Sequence, residues 1–151
     1  MKTRAALLLL LGLSLPLRGA DRVFEKTIPV PRDRDAQLDW THDDCSVESL
    51  TLRNYPEEEE IEEARRGDPG DKSWLWWEFN VSNRGDAKCR IRLSVEILDG
   101  KGRVIKAGDR SDTVSPGNLD DDIRVSTLMK TLDVGQASRV KVRAEVGLKG
   151  R

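Results

Sequence analysis

Histidine is almost absent from this chain of 151 residues: His42 stands alone, beside two cysteines, one tyrosine and two phenylalanines. One imidazole supports at most one general base, and the base that activates a serine, cysteine or threonine nucleophile is most often a histidine. No Gly-x-Ser-x-Gly elbow occurs either. Basic excess is also missing. The formal charge is -1, and the first nineteen residues hold Lys2, Arg4 and Arg18 but no acid, so the remainder sets 23 bases (26 less those three) against 27 acids, a net of -4. A nucleic-acid binder needs a basic footprint to displace counterions, so no nucleic-acid partner is expected. Beyond residue 17 there is no long apolar run, which argues against a polytopic membrane protein, and the length suits one domain.

The apolar run that does exist is at the start. Met1 to Arg4 form a short basic segment and Ala5 to Leu17 thirteen mostly apolar residues, short of the ~20 that a spanning helix needs. We read residues 1–20 as a removed secretory signal, with the mature chain starting near Ala20 or Asp21. The exact cut is open, since cleavage after Ala20 leaves Arg18 three positions back and cleavage after Gly19 leaves Leu17 there. No cysteine directly follows the run to carry a lipid. The expected location is secreted or periplasmic, with no stable membrane span once the signal is gone.

From Asp21 the pattern is mostly period two, the mark of strands with one dry face. Phe24, Ile28 and Val30 share a parity, and Pro29 and Pro31 between them suit an edge strand. Leu38 and Trp40 suggest a second strand. In Cys45 to Arg53 the apolar parity switches near Glu48 and Ser49, which a bulge would explain. Trp74 to Ser82 places Leu75, Trp77, Phe79 and Val81 on one face. Lys88 to Leu98 then puts Cys89, Ile91, Leu93, Val95 and Ile97 on one face, and Asn83-Arg84-Gly85-Asp86 between the two segments reads as a hairpin turn. Further strands are expected over Arg103 to Ala107, around Ile123, Val125, Thr127 and Met129, and from Val140 to Val146. Trp77, Phe79, Val81, Ile91, Leu93, Val95, Ile97, Val142 and Val146 are expected to share one core. One segment departs from the pattern: Pro56 to Arg66 has glutamates first and arginines last, with Gly67 placed for a left-handed cap, which predicts a short helix. The expected fold is therefore all-β, an antiparallel immunoglobulin-like sandwich of seven to nine strands over residues 21–148, with one short inserted helix at 56–66.

A family resemblance agrees with this. Val81-Ser82-Asn83 closes a strand, Val95-Glu96-Ile97-Leu98-Asp99 is followed by Gly102-Arg103-Val104-Ile105, and Ser115-Pro116-Gly117 precedes the next strand. This stretch, about a quarter of the chain, resembles the small extracytoplasmic bacterial sandwiches of the FxLYD and related immunoglobulin-like or fibronectin-like families. The resemblance implies a sandwich outside the cytoplasm and no catalytic residues; fold by itself implies no function.

Several constellations invite chemistry. Cys45 and Cys89 on predicted strands of an exported chain favour a disulfide, with two buried thiols as the alternative. His42-Asp43-Asp44-Cys45 has metal-ligating types, but neighbours on a strand point to opposite faces, so a polar connection is favoured over a zinc site. Asp109, Asp112 and Asp120-Asp121-Asp122 match no EF-hand spacing. No catalytic, metal or cofactor-binding residues are assigned. The aromatic cluster is the feature to pursue. Four of the seven aromatic residues lie within Trp74 to Phe79, and parity turns Trp74 and Trp76 away from the core. Either the inserted helix covers them through Ile61 and Ala64, or they form an open platform for a ligand or partner. The functional expectation is an exported, non-enzymatic binding or accessory module of the cell envelope, its partner an unknown protein or polysaccharide. The alternative is a carbohydrate-binding module built on Trp74 and Trp76.

Overall fold

A computed structural model describes residues 20–150, so the expected signal, apart from Ala20, lies outside the described residues. The elements follow the chain as β1 (Arg22–Pro29), β2 (Ala36–His42), β3 (Cys45–Arg53), α1 (Glu58–Arg66), β4 (Lys72–Asn83), β5 (Cys89–Leu98), β6 (Val104–Val114), β7 (Asp121–Lys130), α2 (Thr131–Val134) and β8 (Arg139–Leu148). They form two antiparallel four-stranded sheets. The front sheet runs β1-β8-β5-β6 and the back sheet β2-β3-β4-β7.

The alternation read along β4 and β5 is what fills the space between the sheets. Trp77, Phe79 and Val81 from β4 meet Ile91, Leu93, Val95 and Ile97 from β5, with Val142 and Val146 of β8, and all are buried. The Trp77 indole keeps a partner there, its Nε1–H donating to Thr127 Oγ1 at 3.0 Å. The expected bulge is present between Val47 and Ser49. β1 is an edge strand and ends at Pro29, with Pro31 beyond it. Its Phe24 stacks on Trp40 of β2 at 5.6 Å between ring centroids and so closes that side of the sandwich. The opposite side is closed by β6 lying against β7. A Cβ added to Gly108 would stand 2.9 Å from Thr127 Cγ2, so a residue without a side chain lets the strands approach.

Two expectations are corrected. β4 and β5 do not form a hairpin; residues 84–88 carry the chain from the back sheet to the front one. Alternation cannot separate the two cases, because a strand facing another across the core buries the same parity as one beside it. Asn83 fixes the crossing. Its side chain is fully buried and donates to the carbonyls of Ala87 (2.8 Å) and Val114 (3.0 Å) while accepting from Gly85 N–H (2.9 Å). The second correction concerns α1, which starts two residues later than expected, at Glu58. Pro56 precedes the cap, Glu57 N–H donates to the Glu60 carboxylate at 2.7 Å, and Gly67 has φ -101, outside the left-handed region.

An immunoglobulin sandwich has sheets A-B-E-D and C-F-G. Here β3, β4 and β7 take the places of A, B and E, and β5 and β8 those of C and F. β1 fills the place of G beside β8, so the N-terminal strand stands where the C-terminal one would. Cys45 and Cys89 form a disulfide, with Cα atoms 5.9 Å apart. It ties β3 of the back sheet to β5 of the front sheet, next to the crossing.

Candidate ligand surface on the back sheet

β4 lies inside the back sheet, between β3 and β7, and its outward positions are Lys72, Trp74, Trp76, Glu78 and Asn80. Directly opposed residues of paired strands share a face. The register therefore builds rows across the outer surface: Trp74 beside Leu128, Trp76 between Arg53 and Ser126, Glu78 between Thr51 and Arg124, and Asn80 between Ser49 and Asp122. From Trp74 to Asn80 this strip is about 20 Å long at a strand's rise per residue.

Charge organises the middle of the strip. Glu78 is only 12% exposed and accepts from Arg53 Nε at 2.5 Å and from Arg124 at 2.6 and 3.1 Å. Burial alone raises the Glu78 pKa, but the hydrogen bonds and positive charge of the two arginines outweigh it and hold the carboxyl below its ordinary range. The Arg53 guanidinium is raised in turn, by the same hydrogen bond first and by the Glu78 charge second. Arg124 also stands over the Trp76 ring, its Cζ 4.5 Å from the centroid, within cation–π range. Trp76 is thus half-buried with one face occupied, and Trp74 is left 49% exposed.

The inserted helix does not cover the tryptophans. Asn54 takes a left-handed φ of 60 and turns the chain off the end of β3. Tyr55 follows, its hydroxyl donating to the Val134 carbonyl at 3.1 Å. α1 then packs on α2 at the end of the sandwich, burying Ile61 and Ala64 there. Ile61 Cγ2 would lie 3.2 Å from a Cβ on Gly135, so the helix seats against the glycine after α2.

The remaining candidates fall elsewhere. His42 Nε2 lies 2.8 Å from the Ala20 carbonyl, and 3.7 Å from Asp43. Asp109 and Asp112 lie on β6 and face Arg92 and Arg110, while Asp120 and Asp122 receive Asn80, and Asp121 receives Asn118. No group of three or more metal-ligating side chains converges among the described residues. Reading the sequence alone passed over Arg53, Glu78 and Arg124. Glu78 shares the parity of Trp74 and Trp76 and could have been found that way; the arginines needed the strand pairing.

No helix among the described residues is long and apolar enough to cross a membrane. No protein-family model matches the chain, and no curated protein does. Among solved structures, the enzymatically active domain of tailspike protein 4 from bacteriophage CBA120 is similar at 13% identity and a TM-score of 0.23. That match covers 85% of this chain but 16% of the tailspike chain, and at such a score it carries no argument.

Proposed function

We propose that this chain is an exported, non-enzymatic binding module that recognises its ligand with the outer face of the back sheet. The half-exposed indole of Trp74, set beside the ordered Trp76, Arg124, Glu78 and Arg53 lattice, carries the reading. A large aromatic side chain left open beside satisfied charges has the composition of a binding hot spot and its rim. Export is supported by the basic and apolar leader and by the disulfide, which persists in oxidising compartments. The resemblance to FxLYD-like envelope domains belongs to the same reading. Glu78 and Asp99 are both held ionised by neighbouring donors. That suits structural anchoring better than general acid chemistry, which wants a carboxyl raised toward neutrality.

Of the two ligand classes, a polysaccharide is favoured over a protein. The apolar part of this face is the open Trp74 indole, the half-buried Trp76 beneath Arg124 and the half-buried Leu128, less than the apolar core of a stable protein interface, whereas a sugar ring needs one open indole to stack on. The test is a tryptophan-emission titration with envelope polysaccharides, paired with a pulldown from envelope extract, both repeated with Trp74→Ala. Loss of ligand in the variant is expected. Retention of every ligand by Trp74→Ala would refute the surface.

A further inference from the structure

The charges around Trp74 indicate the chemistry of the ligand, an inference that rests on the binding reading above. Lys72 precedes Trp74 by two residues on the same face, and Lys130 lies directly opposite Lys72 on β7. Both are exposed. Directly opposed like charges destabilise an antiparallel pair, and among the described residues neither lysine has an ion-pair partner. Asp71 is adjacent in the chain, just before β4 begins, and forms no ion pair with either lysine. Arg53 and Arg124 flank Trp76 with the carboxylate of Glu78 between them, and Asp35, accepting from Thr51 at 2.8 Å, adds a second carboxylate on the Arg53 side. The strip from Lys72 to Glu78, with Asp35 held at its Thr51 edge, therefore combines four cations with two anions, in a chain whose overall charge is -1. Asp120 and Asp122 lie beyond it, around Asn80.

We propose that this surface binds an acidic polysaccharide, with one sugar ring stacked on Trp74 and carboxylate groups of the chain paired to Lys72, Lys130 and the outer edges of Arg53 and Arg124. The opposed lysines are then a stability cost that the ligand's charge relieves. An outer sheet face with one open indole and a short basic strip suits an extended uronate chain. An acidic protein would find almost no apolar area to bury beside its charges.

The experiment titrates the purified protein with polygalacturonate and with its methyl ester, which keeps the sugar ring and removes the charge. Tryptophan emission reports binding, and Trp74→Ala is the control. Polygalacturonate is expected to bind, to weaken as salt shortens the screening length, and to bind at least several-fold more tightly than the ester. Lys72→Ser with Lys130→Ser should weaken the acid by roughly 5- to 10-fold, as for two exposed charge contacts, and leave the ester unchanged. Lys130→Glu should weaken the acid further while raising the urea midpoint, because it turns a repulsive pair into an attractive one. A lowered midpoint would overturn the stability cost on which the inference draws. Equal, Trp74-dependent binding of acid and ester would overturn the anionic class and leave the recognition surface standing. Binding of neither polymer would overturn the polysaccharide assignment, while the envelope pulldown tests the surface separately. Tighter binding of polyglutamate or single-stranded DNA, lost in the lysine double variant, would replace the sugar with that class.

Discussion

Removing the Cys45–Cys89 bridge tests whether one covalent link sets the stability of the sandwich. The bridge closes a loop across a sequence separation of 44, and the chain-entropy relation for that length gives about 4 kcal/mol at 25 °C. The loop contains β4 and α1, so in the reduced unfolded chain this interior strand of the back sheet is no longer confined near β5. Total stability of a domain this size is ordinarily 5 to 15 kcal/mol, so the loss approaches the whole at the low end. The measurement is urea unfolding of the oxidised protein against Cys45→Ala with Cys89→Ala, followed by tryptophan emission, since Trp77 is fully buried. The midpoint should fall, and the slope m should rise, because an uncrosslinked chain exposes more surface when it unfolds. A loss below about 1 kcal/mol, the range of ordinary surface substitutions, would refute the idea that the bridge restrains the unfolded chain.

How much of this was legible beforehand depended on whether a residue's environment is set locally. The dry faces of β4 and β5 could be read because alternation with one buried side is a property of the strand itself, and the bulge at Val47–Ser49 could be read because it shifts that alternation. Which strand pairs with which is not local. β4 and β5 keep their alternation whether they are neighbours or stand in opposite sheets, and the choice depends on Asn83, whose bonds to Ala87 and Val114 no pattern reveals. The docking of α1 was illegible for a similar reason: α2 has four residues, too few to show a helical period, and nothing marks Gly135 as a seat for Ile61. At the site, parity on β4 exposes Trp74 and Trp76. Arg53, Arg124 and Lys130 join them only through register, since they arrive from β3 and β7, elements separated from β4 by a helix or by the crossing.

Other consequences are open to measurement. Phe79→Ala should cost roughly 3 to 5 kcal/mol for a large buried ring, and denaturant unfolding showing less than about 1 kcal/mol would mean that its face is not the core. Ile61→Asp should strip α1 from α2 and reduce the helical circular-dichroism signal without changing iodide quenching of tryptophan, because the helix does not cover Trp74; a rise in quenching would place it there after all. The last expectation concerns acid. Asp99 accepts from the backbone N–H groups of Arg103 and Lys101 at 2.9 Å each and from the Arg103 guanidinium at 2.8 and 2.9 Å, and those bonds outweigh burial to hold its carboxyl below the ordinary value of 3.8. Glu78 is depressed in the same direction by its two arginines. For a carboxyl whose folded pKa is lowered, the unfolded chain takes up the proton first as pH falls. The stabilisation is therefore complete above the ordinary carboxyl pKa and disappears as pH drops through the folded values, so unfolding free energy should decline below about pH 4. Asp99→Asn and Glu78→Gln should each flatten that decline, as followed by urea titration between about pH 2 and 6. An unchanged slope in both variants would mean that neither carboxyl is held ionised by the folded chain, and the anchoring of Trp76 through Arg124 and Glu78 would lose its electrostatic basis.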